Sequence, residues 1–306
     1  MASVIVTGGA GFLGTHLCRA LDAAGHSVRV IDLKENPEYH TDIADVRDEA
    51  KMLDLIRDCE VVFHLASLIE AGESVTEPKK YTDYNVMGTI SVLEAMKHNK
   101  VPTFIFSSSA AIYGEPQNIP IHEDDRTLPI NPYGMTKLAM EALLSSYCYA
   151  HGITGIGLRY FNLYGPEEHH EPETHAIPRF IEQIYTDKEV TVWGEGQHQR
   201  DFVYISDIVA AHLDALNFSQ VAENLHKYHY FNLSTEQAHS VKEVIEKIAE
   251  LLNKTPNVTH FPERPGDPLE LVATAQKARE QLGWQAEVSL NEGLQNTVQY
   301  FLDQWK

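Results

Sequence analysis

The 306-residue chain is predicted to form an α/β protein built on a doubly wound, mostly parallel sheet. Two observations predict this fold class. Short apolar strands alternate with helices through the first half of the chain, as in sheets that are covered by helices on both faces. In addition, the residues of this half that can bind ligands follow directly after predicted strands, and open α/β sheets bind their ligands at the carboxyl ends of the strands.

The first strand is followed by a glycine-rich loop. Residues 3–7 (SVIVT) predict a buried strand, and residues 15–24 predict the helix after the loop. Between them, Gly8, Gly11 and Gly14 are spaced three residues apart. Glycine permits a tight turn and lets a diphosphate approach the backbone N–H groups at the helix N-terminus. A glycine loop alone could be a structural turn, so the next strand is needed to interpret it.

The second strand (SVRVID) ends at Asp32. A carboxylate at this position accepts hydrogen bonds from an adenosine ribose and repels a 2′-phosphate, which favours NAD over NADP, although Lys34 nearby weakens that preference. A strand, a glycine loop, a helix and a strand that ends in Asp together predict a Rossmann-type dinucleotide-binding fold with NAD as the cofactor.

Four further strands continue the alternation. The third ends near Asp45, the fourth covers 61–67, the fifth and its exit loop cover 103–114, and the sixth lies within 152–166. A helix is predicted over about 84–97. The candidate site residues fall at the predicted strand ends. They are Gly8–Gly14, Asp32, Leu65–Ser67, Ser107–Ser109 and Tyr160–Asn162.

The segment 131–144 contains a tyrosine and a lysine four residues apart, Tyr133 and Lys137. Pro132 and the good helix formers after it predict a helix, on which positions i and i+4 share one face. An ammonium beside a phenol favours the phenolate, so we expect the pKa of Tyr133 to fall from ~10 towards neutrality. Such a phenol is a suitable base for a sugar or alcohol hydroxyl. Alternatively, this is an ordinary amphipathic helix with a chance Tyr and Lys.

The composition changes after Gly165. The segment 166–178 is acidic and contains several histidines and prolines, which predicts a solvated loop over the cleft. It lacks paired cysteines and a helical ligand spacing, so no metal site is predicted. The side chains considered as metal ligands are His169, His170, Glu171, Glu173 and His175. Residues 1–165 are predicted to form the dinucleotide-binding domain, to which segments near 201–235 return, and 166–306 to form mainly a smaller C-terminal α/β substrate lobe.

The C-terminal half is predicted to contain four helices. The first is expected to be capped by Ser206 or Asp207. Residues 240–253 form a clearly amphipathic helix, 274–284 a helix that ends near a glycine, and about 290–305 the last helix.

The net charge of −20 argues against nucleic acid and anionic membranes as partners. No apolar run is long enough to span a bilayer, and the N-terminus lacks the pattern of a secretory signal. The three cysteines, Cys18, Cys59 and Cys148, are scattered, which favours a reducing compartment and predicts a cytoplasmic protein.

A series of motifs across nearly the whole chain resembles the extended short-chain dehydrogenase/reductases, and within them the NAD-dependent UDP-sugar 4-epimerases. The matching motifs are TGGAGFLG, Asp32, DVRD (45–48), HLAS (64–67), Asn85-Val86 before GT, FSSSAAIYG, YGMTK, LRYFNLYGP, RDFVY and RPGD. The resemblance implies that NAD oxidises carbon 4 of a UDP-hexose to a transient ketone, which is reduced again on its other face.

The resemblance also implies roles for individual residues. Tyr133 would be the base, Ser109 would hydrogen-bond the same sugar oxygen, and Lys137 would hold the nicotinamide ribose. The residues implied to bind NAD are Gly8, Gly11, Phe12, Leu13, Asp32, Asp45, Val46, Leu65, Ala66, Ser67, Asn85, Ser107, Tyr133, Lys137, Tyr160 and Phe161. Those implied to bind the UDP-sugar are Ser109, Asn162, Thr191, Trp193, Arg200, Arg264 and Asp267. A homodimer through helices near 85–98 and 134–150 is also implied, although their apolar stripes could equally be intrachain core.

Four positions bear on which reaction and which sugar are expected. Related 4,6-dehydratases and UDP-glucuronate decarboxylases carry acids where this chain has Ala110 and Ala111, which argues against both reactions. Leu271 lies where residue size is thought to gate N-acetyl sugars and is intermediate in size, so UDP-glucose, UDP-GlcNAc and UDP-glucuronate stay open. In addition, Ile69 replaces a lysine of some members.

Two functions besides epimerisation also stay open. One is a nucleotide-sugar 4-ketoreductase, which would release its nicotinamide in each cycle. The other is an NAD-sensing protein without chemistry, which is disfavoured because both the Tyr and the Lys are present.

Overall fold

A computed structural model describes residues 1–169, 175–262 and 268–306. The strands, numbered in chain order, are β1 Ser3–Thr7, β2 Ser27–Asp32, β3 Thr41–Ile43, β4 Val61–His64, β5 Thr103–Ser109, β6 Thr154–Tyr160, β7 Asn162–Tyr164, β8 Glu189–Trp193, β9 Gln199–Arg200, β10 Phe202–Tyr204, β11 Tyr228–Leu233, β12 His239–Ser240, β13 Asn257–Phe261 and β14 Glu270–Leu271. The α-helices are α1 Phe12–Ala23, α2 Glu49–Leu55, α3 Ala71–Thr76, α4 Pro78–Tyr81, α5 Gly88–Asn99, α6 Pro132–His151, α7 Ala176–Tyr185, α8 Ile205–Ser219, α9 Val241–Leu252 and α10 Leu290–Gln304.

The central sheet has seven strands in the order β11-β6-β5-β4-β1-β2-β3, and every pair in it is parallel. This confirms the predicted fold class. The strand order reverses between β1 and β4, which leaves a crevice outside their carboxyl ends. The sheet therefore places one ligand-binding edge beside the loops after β1 and β4.

Helices cover both faces of this sheet, so its strands are apolar on both sides. In β1, Val4 and Val6 belong to the core cluster that includes residues of α1 and α8, whereas Ile5 belongs to the cluster that includes residues of α2, α5 and α6. All three side chains are fully buried. The continuous apolar run of β1 thus follows from two helical layers rather than one.

The C-terminal part contributes small sheets and helices around the crevice. β8 pairs with β13, β9 pairs with β12 and β14, and β10 pairs with β7. α8 packs against α1, and β11 forms the edge of the large sheet beyond β6. The segment from α8 to β11 therefore lies with the N-terminal part; the domain boundaries themselves remain a prediction.

Some element ends differ from the sequence-based expectation. The helix predicted over 84–97 is a π-helical segment, Thr82–Met87, that runs into α5. The predicted cap of α8 is wrong, because the helix starts directly from β10 with Tyr204 as its N-cap. Asp207 lies inside the first turn and its carboxylate accepts the N–H groups of Glu287 and Val288 instead. Within the described residues, no helix combines the length and apolar character needed to cross a bilayer.

Candidate active site

Tyr133 and Lys137 lie in the first two turns of α6, at the ligand-binding edge of the sheet. Asn131 starts this helix: its side-chain oxygen accepts the N–H of Gly134 at 2.8 Å, and Pro132 occupies the first helical position. The Tyr133 and Lys137 side chains share one face, as predicted, with the Lys137 Nζ 5.8 Å from the centre of the Tyr133 ring.

Ser109, the last residue of β5, meets Tyr133 from the sheet. Its hydroxyl lies near the Tyr133 phenol and lowers the pKa of that phenol, and it accepts the N–H of Ala111 at 3.2 Å. The Tyr133 N–H in turn donates to the Ser74 hydroxyl of α3 at 3.1 Å. β5, α3 and α6 therefore fix the serine and the tyrosine together.

Lys137 is buried, with 1% of its surface exposed. Its ammonium donates to the Ser67 hydroxyl at 2.9 Å, to the Ser107 carbonyl at 2.8 Å and to the Ser107 hydroxyl at 3.3 Å. Burial lowers the pKa of Lys137 to about 7, because the charged form loses hydration there. The lysine thus joins the ends of β4 and β5 to α6.

The predicted fall in the Tyr133 pKa is wrong for this arrangement of the site. Burial raises the pKa of Tyr133 to about 12; the neighbouring Ser109 hydroxyl lowers this pKa, and the Glu70 carboxylate raises it further. The spacing of Tyr133 and Lys137 predicted the shared helix face correctly, but it carries no information on how deeply the two side chains are buried. Because Lys137 is itself only partly charged near neutrality, it does not offset the cost of burying a phenolate.

The glycine loop brings three backbone segments closer together than a side chain would allow. Gly8 has φ +75°, and a Cβ on it would lie 2.7 Å from the Ala66 nitrogen. A Cβ on Gly14 would lie 2.2 Å from the Gly8 carbonyl oxygen. α1 begins at Gly11, which has no side chain to cap it, so the N–H groups of Phe12 and Leu13 in the first turn have no partner within the helix. This loop has the form of an anion-binding helix N-terminus.

Asp32 lies beside that loop at the end of β2. Its Oδ2 accepts the N–H of Ala10 at 3.0 Å, and its Oδ1 accepts the N–H of Lys34 at 3.1 Å. Each carboxylate oxygen can accept further hydrogen bonds, so these contacts orient Asp32 and still leave acceptor sites for a ligand.

Asp45 and Val46 lie in the loop after β3. Asp45 accepts hydrogen bonds from the Arg47 guanidinium, with the shortest at 2.6 Å, and this contact lowers the pKa of Asp45. Val46 is buried and packs so closely against Gly88 that a Cβ on Gly88 would lie 2.8 Å from the Val46 side chain. These two positions therefore hold β3 against the start of α5.

Asn85 is fully buried, and its side-chain amide is already engaged. It accepts the N–H of Leu68 at 2.8 Å and donates to the Leu68 carbonyl at 3.0 Å and to the Thr136 hydroxyl at 2.9 Å. Thr136 donates to the Tyr133 carbonyl at 2.7 Å. Both amide N–H groups are used, so Asn85 ties the loop after β4 to α6 and leaves no side-chain donor for a ligand.

The remaining predicted residues follow β4, β6 and the C-terminal strands. Leu65 and Ala66 lie against the glycine loop, with the Leu65 N–H on the Thr7 carbonyl. The Tyr160 hydroxyl is 2.7 Å from Nε2 of the buried His212, whose Nδ1 is 2.8 Å from the Ile208 carbonyl. Because that carbonyl can only accept, Nδ1 carries the proton and Tyr160 donates to Nε2.

Phe161 is buried, and Asn162 begins β7 with its N–H on the Asp201 carbonyl. Thr191 lies on β8, and Trp193 ends that strand with 37% of its surface exposed and its ring centre 5.4 Å from that of Phe261. Arg200 ends β9 and pairs in register with Leu271 of β14. Arg264 and Asp267 lie outside the described residues, as do His170, Glu171 and Glu173.

Two described members of the histidine-containing segment have protein partners. The His169 ring packs edge-on against Phe301, with ring centres 5.2 Å apart. The Nδ1 of His175 is 2.6 Å from Oε1 of Glu168. Within the described residues, no group of three or more metal-ligand side chains is close enough to hold a metal ion.

Sequence reasoning missed Glu70 and Ser74, which stand next to Tyr133 in space. Both lie in the segment after β4, which starts with the predicted Leu65–Ser67. The sequence could have indicated these two residues, because they follow a central strand and the loops after such strands converge at the ligand-binding edge.

Comparison with known proteins identifies the family. Residues 4–232 match the model of the NAD dependent epimerase/dehydratase family. A UDP-glucose 4-epimerase of Lactobacillus helveticus is 38% identical over 303 residues, which cover 92% of this chain and 91% of that protein. Two solved structures are also similar along their whole length. The UDP-glucose 4-epimerase of Thermotoga maritima, solved with UDP-glucose, has a TM-score of 0.92 and 32% identity and covers 99% of this chain and 100% of that chain.

The second is the UDP-N-acetylglucosamine 4-epimerase of Methanobrevibacter ruminantium M1, solved with UDP-N-acetylmuramic acid. It has a TM-score of 0.90 and 30% identity, with 99% of each chain covered. The family match covers the glycine loop, the serine strand and the Tyr-Lys helix described above. The chain therefore belongs to the NAD dependent epimerase/dehydratase family.

Proposed function

We propose that this protein interconverts the two carbon-4 epimers of a UDP-hexose, with NAD as its cofactor. The observation that carries this proposal is the convergence of Ser109, Tyr133 and Lys137 at one edge of the sheet, beside a glycine loop at the start of α1. The names of the relatives support both the reaction and the UDP-sugar class.

The residues at this edge fit NAD. The glycine loop leaves helix N–H groups free for a diphosphate, and Asp32 stands beside it to accept the hydroxyls of an adenosine ribose. Lys137 can donate to the nicotinamide ribose by exchanging a serine hydroxyl for a ribose hydroxyl. A bound NAD would supply the hydride acceptor for carbon 4 of the sugar and, once reduced, the hydride donor for the return step.

The chain's own residues manage the proton of the 4-hydroxyl. Tyr133 accepts that proton and later gives it back, while Ser109 hydrogen-bonds the same oxygen. A phenol with a pKa of about 12 is a poor base, so the pKa of Tyr133 must fall when the site fills. A fully charged Lys137, 5.8 Å from the ring centre, favours the phenolate and is the side chain we assign to this task.

The residues after Ser109 restrict the reaction to redox chemistry. Ala110 and Ala111 form a short 3₁₀ turn, and Ala110 is buried. A methyl group cannot shuttle the protons that dehydration needs. The sugar must also turn over between the two hydride transfers, so the UDP part has to be held more firmly than the hexose. We assign that grip to Asn162, Thr191, Trp193, Arg200, Arg264 and Asp267.

We also propose that the protein is a cytoplasmic homodimer. On α6, Tyr149 and Met135 expose 94% and 51% of their surfaces, and Met87 before α5 exposes 44%. Such apolar side chains on neighbouring helices suit a second copy of the chain. The three cysteines are buried free thiols, which fits a reducing compartment.

The test is to incubate the purified protein with UDP-glucose, UDP-galactose, UDP-GlcNAc and UDP-glucuronate and to identify the products by NMR. We expect 4-epimers to form without added cofactor, because an epimerase regenerates its NAD in each cycle. In Tyr133→Phe, kcat should fall by ~10²–10⁴ while the bound NAD stays constant. Tyr185→Phe, a matched change of a tyrosine on α7 that stacks on Trp305 and has no assigned role in the site or the dimer, should leave the rate unchanged.

A need for stoichiometric NADPH in each turnover would instead indicate a ketoreductase. Full activity of Tyr133→Phe would remove this residue from the mechanism.

A further inference from the structure

Glu70 follows β4 and is held next to Tyr133 by two successive hydrogen bonds. The Glu70 carbonyl accepts the N–H of Ser74 at 3.0 Å, and the Ser74 hydroxyl accepts the N–H of Tyr133 at 3.1 Å. Glu70 precedes α3 as its N-cap residue but makes no side-chain cap bond. Its carboxylate is therefore not engaged in starting that helix.

The Glu70 side chain is two-thirds buried, with 33% of its surface exposed. Its Oε1 is buried and has no hydrogen-bond partner in the described part of the chain. The Nε2 of His175 is 3.5 Å away, and Nδ1 of that histidine is 2.6 Å from Glu168, a carboxylate with 1% of its surface exposed. The carboxylates of Glu70 and Glu168 therefore lie on either side of one imidazole.

The negative charge of the Glu70 carboxylate acts on Tyr133 and raises the pKa of its phenol. In the proposed reaction Tyr133 acts at carbon 4 of the hexose. The substituent on carbon 5 is attached to the neighbouring ring carbon, so it lies close to whatever surrounds Tyr133. That substituent is a primary alcohol in glucose and in GlcNAc, but a carboxylate in glucuronate.

We propose that the Glu70 carboxylate selects the substrate class, by accepting a hydroxyl of a neutral hexose and by repelling a uronic acid. This inference rests on the proposed function and narrows it to UDP-glucose or UDP-GlcNAc and their 4-epimers. The charge repulsion disfavours UDP-glucuronate, while the hydroxyl contact favours a neutral hexose. Two like charges ~6–8 Å apart at an effective dielectric constant of ~20 discriminate by roughly 10- to 100-fold.

The test compares the wild type with Glu70→Gln, which removes the charge and keeps the shape. We expect the ratio of kcat/KM for UDP-glucuronate to kcat/KM for UDP-glucose to rise by roughly 10- to 100-fold. The inhibition constant of UDP-glucuronate against UDP-glucose epimerisation should fall by a similar factor, and this readout needs no turnover of the uronate. Glu70→Ala should shift both quantities in the same direction.

Glu77→Gln is the matched control, since Glu77 is an exposed acid one helix turn beyond Ser74. It should leave both quantities unchanged. A ratio and an inhibition constant that do not move in either Glu70 variant of an active enzyme would overturn the assignment of Glu70 alone. A wild-type protein that epimerises none of the UDP-sugars would overturn the proposed function, and this inference with it.

Discussion

Lys137 couples the chemistry of the site to the stability of the fold. Burial lowers its pKa from 10.5 to about 7, whereas the unfolded chain keeps the ordinary value. Between these two pH values the unfolded state binds more protons than the folded state. The contribution of Lys137 to the free energy of unfolding therefore increases as the pH rises above 7, by up to ~1.4 kcal/mol per pH unit.

We expect this slope in NAD-free protein between pH 7 and pH 8.5, measured by chemical denaturation. Lys137→Met should remove it, whereas Lys242→Met, at an exposed position on α9, should keep it. The pH range stops at 8.5 because of two buried thiols. Burial raises the pKa values of Cys18 and Cys148 to about 12, so above pH 9 these thiols lose their protons only in the unfolded chain, which lowers the free energy of unfolding. A wild-type slope equal to that of Lys137→Met would contradict the low pKa.

At the residue scale, the sequence predicted which side chains meet but not how they are charged. The four-residue spacing placed Tyr133 and Lys137 on one helix face correctly. The pKa of Tyr133 was predicted in the wrong direction, because burial depends on strands and helices far away in the chain. For the same reason the sequence could not show that Leu68 and Thr136 occupy the amide of Asn85.

A buried ion pair joins α6 to the sheet one turn beyond Lys137. Glu141 accepts hydrogen bonds from Arg159 of β6 at 2.9 and 2.7 Å and from the hydroxyl of Ser108 of β5 at 2.5 Å. Arg159 also donates to the Tyr113 hydroxyl at 2.7 Å. Since Ser108 precedes Ser109, this pair fixes α6 relative to the strand that carries Ser109.

Breaking this pair should cost stability and catalysis together. Glu141→Gln leaves the buried Arg159 without its counter-charge, and we expect the free energy of unfolding to fall by ~3–5 kcal/mol. A double variant, Glu141→Leu with Arg159→Met, should recover part of that loss because it leaves no unpaired charge. Urea denaturation measures the free energy of unfolding of both variants. A lower kcat would indicate that α6, with Tyr133 and Lys137, has been displaced.

The exposed pair Lys242–Glu246 on α9, 3.9 Å apart, offers the control. Glu246→Gln should change neither stability nor rate, because solvent screens exposed ion pairs. A loss in the double variant as large as in Glu141→Gln would show that the charges do not act as a pair.

At the element scale, six of the seven strands of the large sheet were predicted, most of them from short apolar runs bounded by turn signals, whereas the edge strand β11 was not predicted. The boundaries were less predictable. α8 begins without a side-chain cap, since β10 leads directly into it and Asp207 serves a distant loop instead. The helix predicted over 84–97 starts as the π-helical segment Thr82–Met87, and Thr89 in the first turn of α5 donates to the Asn85 carbonyl at 2.6 Å.

At the scale of the whole molecule, the predicted NAD residues come from separate parts of the sheet. They lie at or after the ends of β1 to β6, with Asn85 in the segment before α5 and two residues, Tyr133 and Lys137, on α6. Because all strands of this sheet are parallel, these ends lie at one edge, and the reversal of strand order between β1 and β4 opens a crevice there. A ligand bound at this edge contacts both halves of the fold, so its removal should affect the stability of the entire chain rather than of one loop.

We therefore expect NAD to raise the melting temperature of the NAD-free protein as a single transition. At a free concentration ~100-fold above its Kd, NAD adds ~2.7 kcal/mol to the free energy of unfolding, or roughly 5 °C in Tm. NADP at the same concentration should give a smaller shift, because Asp32 repels the additional 2′-phosphate. Asp32→Asn, which removes that repulsion but keeps an acceptor oxygen, should narrow the difference between the two cofactors. Equal shifts with NAD and NADP in the wild type would contradict the role given to Asp32, since the carboxylate that Ala10 and Lys34 orient at the end of β2 would then exert no selection on the adenosine ribose.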